Sequence, residues 1–287
     1  MSLSETSFCR FADLLDRRVG MKLAAEKSYL LGARLGPLLQ REGMNSLDEL
    51  AAALGKGSLR LEAEVAEAML NNETFFFRDR VPFDQFRATL LPRLMAARAA
   101  QRRLRIWSAA CSTGQEPYSL AMILAEEASK LAGWSIEIVA TDISRHALSR
   151  AEAGAYSQFE VQRGLDTPRL VKYFSKEGDR WRLSDDIRRR VRFERANLTE
   201  PLRFTDQFDL IFARNVLMYF KPERKTEALK RLRASLRADG ALLLGAAETI
   251  FGNKDLFAPD PSAVGYYRPA AVFSSAARNE GRMATQS

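Results

Sequence analysis

Apolar residues recur at helical spacing over the first part of the chain, in the segments Phe8–Met21, Ala24–Glu42 and Ser46–Leu54. A glycine lies at or just after the end of each segment, where glycine commonly ends a helix. Polar residues separate the segments, and no strand-like alternation interrupts them. We therefore predict a small all-α domain over residues 1–70.

Beyond residue 98, short apolar runs alternate with amphipathic segments. The runs that predict strands are Leu104–Ala110, Trp134–Ala140, Val191–Glu194, Phe208–Ala213 and Ala241–Gly245. The segments that predict helices are Tyr118–Glu127, Ala147–Gly154 and Pro222–Arg237. Strands that alternate with helices are typical of an α/β fold with a doubly wound, mostly parallel sheet. We assign residues 99–273 to this Rossmann-like domain.

Three smaller segments complete the predicted organisation. Residues 71–98 form a linker and a connecting helix, and residues 274–287, which are small and polar, predict a disordered tail. Roughly 35 residues separate the predicted helix Ala147–Gly154 from the third predicted strand, more than a connection in an α/β unit needs. Within them, Leu170–Phe174 and Arg180–Leu183 flank a Gly-Asp turn. This pattern predicts a small antiparallel β insertion at about 168–190. Another turn is predicted at Asp239-Gly240, before the last strand.

The loop after the first predicted strand has a distinctive chemistry. Cys111-Ser112-Thr113-Gly114 turn the backbone, and Pro117 lies in the first turn of the following helix. Doubly wound folds hold nucleotide-like ligands at such a junction. The loop lacks both the G-x-G-x-x-G pattern and the lysine of a phosphate-binding loop. It places Glu116 where a pyrophosphate would otherwise lie, so the sequence favours S-adenosylmethionine, which has an ammonium, a sulfonium and a ribose but no phosphate.

Polar residues also follow the other predicted strands. Asp142 ends the second strand, where an acidic residue can accept hydrogen bonds from ribose hydroxyls. Asn197 and Leu198 follow the third strand, in a position to meet an adenine. Arg214 and Asn215 follow the fourth. Because the carboxyl ends of parallel strands share one edge of the sheet, we expect these residues to lie together.

The composition narrows the class of protein. The chain has 287 residues, of which 46% are hydrophobic, and a formal net charge of +8. Cys9 and Cys111 form neither a disulfide framework nor a metal-ligand spacing, so we predict no metal site. The N-terminus has no apolar signal core, and no run is long enough to span a membrane. These features predict a cytoplasmic protein without direct membrane insertion.

Four motifs occur in a distinctive order, namely Asn72–Asp79, the loop Ser108–Ala121, Ala140–Ile143 and Ala213–Phe220. In these motifs the chain resembles the CheR-type chemotaxis receptor methyltransferases, over roughly Phe8 to Tyr267. The resemblance implies a protein-glutamate O-methyltransferase that uses S-adenosylmethionine. Its substrates would be glutamates on the cytoplasmic helices of transmembrane chemoreceptors, methylated for adaptation in chemotaxis signalling. We expect a monomer with no nucleic-acid partner.

Matched motif by motif, the resemblance implies roles for ten residues. Arg78 and Tyr219 are assigned to catalysis, with Tyr219 beside the reacting methyl group and Arg78 near the cofactor carboxylate or the incoming glutamate. The expected cofactor contacts are Asn72, Thr74 and Arg78 from the linker, Glu116 at the methionine ammonium, Asp142 at the ribose, Asn197 and Leu198 at the adenine, and Arg214 and Asn215 at the methionyl end. The run Phe75–Phe77 is interpreted as core packing.

The chain departs from the family pattern at the second helix. In the family this helix carries repeated arginines, thought to dock on the receptor. Arg34 is kept here, but Pro37 and Leu38 stand where further basic residues are expected. Pro37 could also kink the helix. The departure weakens the prediction of receptor docking through this face.

A second departure concerns the β insertion. In some members of the family it captures a C-terminal pentapeptide of the receptor as an added strand. Here the candidate loop, Ser175–Arg180, is short and has one glycine, and charged residues follow at 185–190. The protein is therefore predicted to act independently of such a peptide.

The residues available for chemistry leave other functions open. The only histidine, His146, falls on a predicted helix surface, so no Ser/His/Asp catalyst is possible. A glutamate substrate needs no base, because its ordinary pKa of about 4.3 leaves it ionised at neutral pH. The basic charge would also suit a nucleic-acid methyltransferase, but Arg214–Leu217 is not the Asn/Asp-Pro-Pro-aromatic motif of the amino-directed enzymes. A non-catalytic domain that binds the cofactor and a signalling partner is the third alternative.

Overall fold

The computed structural model describes residues 3–270, so the tail predicted at 274–287 lies outside the described residues. Four helices form the first part of the chain: α1 (Glu5–Val19), α2 (Tyr29–Arg41), α3 (Leu47–Leu54) and α4 (Leu59–Met69). A short 3-10 turn, Ala25–Lys27, lies between α1 and α2. Buried leucines from all four helices pack with Phe11 into one hydrophobic core.

Local sequence explains where these helices begin and end. Ser4, Ser46 and Ser58 precede α1, α3 and α4, and each side chain accepts a hydrogen bond from the backbone N–H three residues later. Gly20 follows α1 with a φ of 70°, a left-handed conformation that favours glycine. No helix was predicted at α4. Its sequence does carry the helical pattern, since Leu61, Val65 and Met69 recur four residues apart and are buried.

The connecting helix runs in three parts, α5 (Val81–Gln85), a π-helical stretch (Phe86–Leu90) and α6 (Leu91–Ala97). Pro92 lacks the N–H that would bond back into the π-helical stretch, which accounts for the break in the α-helical pattern. Buried apolar residues of all three parts belong to the main core of the sheet domain. The connecting helix predicted within residues 71–98 thus spans Val81–Ala97.

Up to residue 270, where the described part of the chain ends, ten strands follow: β1 (Arg103–Ala109), β2 (Ser135–Asp142), β3 (Ala155–Ser157), β4 (Phe174–Glu177), β5 (Arg180–Leu183), β6 (Val191–Arg195), β7 (Phe208–Ala213), β8 (Leu236–Leu244), β9 (Phe257–Pro259) and β10 (Tyr266–Pro269). Seven of them form one sheet in the order β6-β2-β1-β7-β8-β10-β9. The strands from β6 to β8 in this order are parallel, and β10 is antiparallel to both β8 and β9. The doubly wound, mostly parallel α/β class is confirmed.

The helices of this domain are α7 (Gln115–Glu126), α8 (Arg145–Ala153), α9 (Gln158–Gln162), α10 (Thr167–Tyr173), α11 (Asp185–Arg188) and α12 (Pro222–Ser235). Of these, α7, α8 and α12 contact strands of the seven-stranded sheet, whereas α9 and α10 contact the other three strands. Successive residues of a strand point to opposite faces. Accordingly, Ile106 of β1 packs in the core that contains α7, whereas Trp107 packs in the core that contains α12. The α/β domain therefore has two apolar layers, one on each side of the sheet.

The end of the sheet domain differs from the prediction. The last predicted strand, Ala241–Gly245, begins earlier, at Leu236. Its pairing with β7 jumps from Leu236 opposite Phe208 to Ala241 opposite Leu210, so the turn predicted at Asp239-Gly240 is an irregularity within the strand. β9 and β10 were not predicted, because strands of three and four residues are too short to show a periodicity.

The β insertion is also larger than predicted. Leu170–Phe174 was expected to be a strand, but Leu170 lies in α10, because Asp166 caps that helix and Pro168 stands in its first turn. The hairpin consists of β4 and β5, joined at Gly178, whose φ of 63° suits the turn. β3 adds to the other side, so the three-stranded sheet has the order β3-β5-β4, with β5 in the centre.

Candidate active site

One cavity lies at the carboxyl ends of β1, β2, β6 and β7, the edge where open parallel sheets bind ligands. It encloses about 870 Å³ of empty space, its opening to solvent included. All ten residues singled out from the motifs line it: Asn72, Thr74, Arg78, Glu116, Asp142, Asn197, Leu198, Arg214, Asn215 and Tyr219. The fold thus brings together residues from the linker and from four strand ends.

Glu116 and Arg214 form a buried ion pair in the cavity wall. The Oε2 atom of Glu116 lies 3.2 Å from Nη1 of Arg214, and its Oε1 atom accepts a hydrogen bond of 2.8 Å from Ser108. Burial raises the pKa of Glu116, although the charge of Arg214 and the bond from Ser108 act in the opposite direction. Within the described residues, Nε of Arg214 is buried without a hydrogen-bond partner. Such a donor suits an anionic group of a ligand.

Asp142 ends β2 and joins two loops at the cavity. Its Oδ2 atom accepts a 2.8 Å hydrogen bond from the N–H of Ser112, and its Oδ1 atom accepts one of 2.8 Å from the N–H of Ser144. Burial raises the pKa of Asp142, whereas these two backbone bonds lower it. Each carboxylate oxygen has a second lone pair, so both can still accept bonds from ribose hydroxyls.

The loop after β1 is held in an uncommon conformation. Ala110 and Ser112 have φ values of 56° and 51°, in the left-handed region that residues other than glycine rarely adopt. Gly114 has a φ of 91°, and a Cβ atom there would lie 2.9 Å from the Cβ of Ala151. The N–H of Ser112 points at Asp142, and its hydroxyl donates to the carbonyl of Asn72. Backbone strain of this kind is common at functional sites.

The linker passes over the cavity between the two domains. Arg78 is half-buried, and its guanidinium donates to the carbonyl of Glu73. Its neighbour Asp79, which was not among the predicted site residues, lies with Oδ2 2.5 Å from Nη2 of Arg214. Arg214 therefore stands between two carboxylates, Glu116 and Asp79. Asp79 itself has a φ of 66°, so this part of the linker is strained as well.

Tyr219 lies in a 3-10 turn, Leu217–Tyr219, between β7 and α12. Its hydroxyl oxygen accepts a 2.7 Å hydrogen bond from the side chain of Asn71. Its carbonyl accepts another, also of 2.7 Å, from the N–H of Lys22. The turn that carries Tyr219 is thus fastened to the linker and to the helical domain.

Residues of the helical domain complete the cavity, and none of them was predicted from the sequence motifs. Val19 and Met21 line it beside Leu198, and Met21 forms an antiparallel bridge with Phe220. Asn197 donates to the carbonyl of Arg18 at 2.9 Å. No motif could have identified Val19 and Met21, because they reach the cavity through the contact between domains.

Other residues considered in the sequence have no direct part in the cavity chemistry. Phe76 and Phe77 are buried in the main core, as their interpretation as packing residues required, whereas Phe75 is half-buried, with the guanidinium of Arg163 4.3 Å from the centre of its ring. His146 is exposed on α8. Cys111 borders the cavity, but burial raises the pKa of its thiol well above the ordinary value, which keeps it from acting as a thiolate.

The described part of the chain has neither a membrane-spanning helix nor a metal-binding cluster. No helix within residues 3–270 combines the length and apolar character that a membrane crossing requires. In the same range, no three His, Cys, Asp or Glu side chains are grouped so that they could hold a metal ion.

The residues present fit S-adenosylmethionine. Asp142 stands at the carboxyl end of β2 and Glu116 at the start of α7, and the buried Nε–H of Arg214 suits a carboxylate. Fold and site therefore define an S-adenosylmethionine-dependent methyltransferase.

Two family models match the chain: "CheR methyltransferase, all-alpha domain" over residues 6–71 and "CheR methyltransferase, SAM binding domain" over residues 72–265. The chain belongs to the CheR methyltransferase family.

Curated relatives resemble the chain over most of its length. "Chemotaxis protein methyltransferase 1" of Pseudomonas aeruginosa is 41% identical over 254 residues, which are 87% of this chain and 92% of the relative. "Chemotaxis protein methyltransferase Cher2" of Pseudomonas putida is 39% identical, covering 89% of this chain and 94% of the relative. "Chemotaxis protein methyltransferase 1" of Vibrio cholerae is 41% identical, with 87% and 90% covered.

Proposed function

We propose that the protein transfers methyl groups from S-adenosylmethionine to glutamate side chains of chemoreceptors, giving glutamyl methyl esters for adaptation in chemotaxis. The observation that carries the proposal is the cavity that joins Glu116, Arg214, Asp142 and Tyr219 in a chain of this family. The substrate glutamates lie on the cytoplasmic helices of the receptors. The enzyme works in the cytoplasm as a monomer, without a nucleic-acid partner.

Each cavity residue has a proposed role toward the cofactor. The carboxylate of Glu116 pairs with the methionine ammonium, and that of Asp142 accepts bonds from the ribose. Asn197 and Leu198 border the adenine. The remaining contacts come from Arg214 and Asn215 at the methionyl end and from Asn72, Thr74 and Arg78 in the linker.

The chemistry requires little of the protein beyond alignment and the exclusion of water. The cofactor, when bound, supplies an electrophilic methyl group on a sulfonium. A glutamate substrate is already ionised at neutral pH, so the chain needs no base to activate it. The linker and the helical domain cover the cavity and exclude water, which favours a step in which opposite charges neutralise each other. Arg78 holds the incoming carboxylate, and Tyr219 lies beside the methyl group.

Tyr219 provides the experiment. Tyr219→Phe removes the hydroxyl that contacts Asn71 but keeps the ring, so turnover should fall while cofactor affinity stays nearly unchanged. Radiolabelled methyl transfer to a purified receptor cytoplasmic fragment measures turnover, and calorimetry with S-adenosylhomocysteine measures affinity. A fragment whose candidate glutamates are replaced by alanine should take up no label. If affinity fell as much as turnover, Tyr219 would be a binding or packing residue.

We also propose that methylation does not depend on a receptor pentapeptide. The charges at 185–190 bear less on this than the sequence indicated, because they lie on or beside α11 while the exposed edges of the small sheet are β3 and β4. The remaining support is the tight β4–β5 turn, in which Gly178 is the only glycine. Receptors with and without the peptide should be methylated at equal rates. Micromolar binding of the isolated pentapeptide, with slower methylation after its deletion, would contradict this.

A further inference from the structure

Glu248 lies just after β8, and none of the sequence motifs includes it. Its side chain is buried and does not line the cavity. Both of its carboxylate oxygens accept hydrogen bonds from backbone N–H groups. Oε2 accepts from Gly245 and Asn215, each at 2.7 Å, and Oε1 accepts from Val216 at 2.9 Å and Met218 at 3.1 Å.

Three of these four donors belong to the segment that leaves β7. This segment, residues 214–220, carries Arg214, Asn215 and Tyr219 into the cavity. Its only regular part is the 3-10 turn Leu217–Tyr219, so backbone hydrogen bonds within the segment do not fix the path of its first residues. Asn215 moreover has a φ of 58°, a conformation that needs external support. The carboxylate of Glu248 supplies that support.

Gly245 makes the close approach possible. A Cβ atom at this position would lie 2.8 Å from both the side-chain nitrogen of Asn215 and Oε2 of Glu248. Any larger residue would therefore separate the ends of β7 and β8. Gly245 and Glu248 together form a cradle that ties the segment 214–220 to β8.

We infer that Glu248 is a positioning residue for methyl transfer, acting through the backbone of residues 214–220 on the placement of Tyr219. The inference rests on the proposed function, since it takes Tyr219 to lie beside the transferred methyl group. Of the residues proposed to bind the cofactor, Glu116, Asp142 and Arg214 are held by contacts with other residues, whereas Asn215 bonds directly to Glu248. Loss of the Glu248 carboxylate should therefore affect turnover far more than cofactor binding.

The test compares three variants with the wild-type protein. Glu248→Gln puts an amide NH₂ where an oxygen accepts two backbone bonds, and Glu248→Asp keeps both oxygens but withdraws them by one methylene. The matched control is Asp260→Asn, which alters another buried carboxylate of the C-terminal part. Asp260 bonds to Arg93 and Ser262, and it does not line the cavity.

Glu248→Gln should lower kcat on the order of 100-fold, the cost of misplacing a reacting group by about 1 Å. Its Kd for S-adenosylhomocysteine should stay within about threefold of wild type, and Glu248→Asp should recover part of the kcat. Asp260→Asn should lower the melting temperature comparably but leave kcat within about twofold. Equal kcat losses in Glu248→Gln and Asp260→Asn, or a Kd that rises as much as kcat falls, would overturn the inference.

Hydrogen–deuterium exchange of a peptide covering residues 214–220 provides a measurement that needs no receptor. Exchange should be faster in Glu248→Gln than in wild type and unchanged in Asp260→Asn. Unchanged exchange in Glu248→Gln would show that the carboxylate does not hold this segment, and would overturn the inference. A wild-type enzyme that fails to methylate the receptor would instead contradict the proposed function, so the two failures are distinguishable.

Discussion

Asp142 accepts hydrogen bonds from two backbone N–H groups at the cavity, and it is also the residue proposed to bind the ribose. Asp142→Ala should weaken S-adenosylmethionine binding by about 2–3 kcal/mol, the worth of charged hydrogen bonds to the ribose. The same change releases the N–H groups of Ser112 and Ser144, so the melting temperature should fall as well. Asp142→Asn, which keeps one acceptor oxygen, should lose less of both. Calorimetry that shows unchanged affinity in a folded Asp142→Ala variant would refute the placement of the ribose.

The pH dependence of cofactor binding follows from the raised pKa values of Glu116 and Asp142. Both carboxyl groups remain partly protonated above their ordinary pKa values, because burial disfavours the charged form. In the proposed complex, the ionised form of Glu116 pairs with the methionine ammonium. Affinity should therefore fall as the pH is lowered toward the raised pKa values, and binding in that range should release protons.

The free protein should show the opposite trend in that pH window. Its folded state holds more protons than the unfolded chain, so these two groups add stability as the pH falls, and that stability is lost as the pH rises.

For cofactor binding, calorimetry in buffers of different ionisation enthalpy measures the number of protons that binding releases. Glu116→Gln should flatten the pH profile of binding, and an equally steep profile in that variant would assign the effect elsewhere.

Among the helices, α2 carries Arg34, whose hydrogen bonds lie within the helical domain. Arg34 donates from one guanidinium nitrogen to the carbonyl groups of Met69 and Leu70, the last residues before the linker. Leu38 is buried in the core of the helical domain. The helix continues through Pro37 to Arg41. These contacts give Arg34 a structural role at the end of α4, independent of any receptor.

Arg34→Ala should accordingly lower the free energy of unfolding by about 1–2 kcal/mol, because two carbonyl groups lose a charged donor. The KM for a receptor fragment should stay close to the wild-type value. Arg41→Ala, on the same helix, removes an arginine whose side chain is 58% exposed, and stability should change by no more than about 0.5 kcal/mol. Unchanged stability with a raised KM in Arg34→Ala would show that Arg34 contacts the receptor instead.

The strands and helices also show which features a sequence can reveal. Long periodic segments such as β1, β7 and α12 were predicted to within a few residues, because burial imposes their pattern. At Leu170 the apolar alternation predicted a strand, although Asp166 and Pro168 mark a helix start in the local sequence. Tertiary pairing alone defines β9 and β10, and a local pattern cannot report it.

For the molecule as a whole, the active site depends on the contact between its domains. The helical domain supplies Val19 and Met21 to the cavity. Across the same contact, Asp16 lies 2.9 Å from Nζ of Lys221 and 3.4 Å from Nε of Arg224. Motifs identified the polar residues around the cavity, because they follow strands or lie in distinctive segments of the linker and of residues 213–220. They could not identify Val19, Met21 or Glu248, whose roles arise only when distant segments meet.

The most direct test of the central claim is the chemical nature of the methylated product. The purified protein is incubated with methyl-labelled S-adenosylmethionine and a receptor cytoplasmic fragment, and the labelled fragment is then treated with mild alkali. A glutamyl methyl ester hydrolyses under these conditions, so we predict that the label is released as volatile methanol. Label that stays on the protein through alkali, or a wild-type enzyme that transfers none to the receptor, would contradict the account.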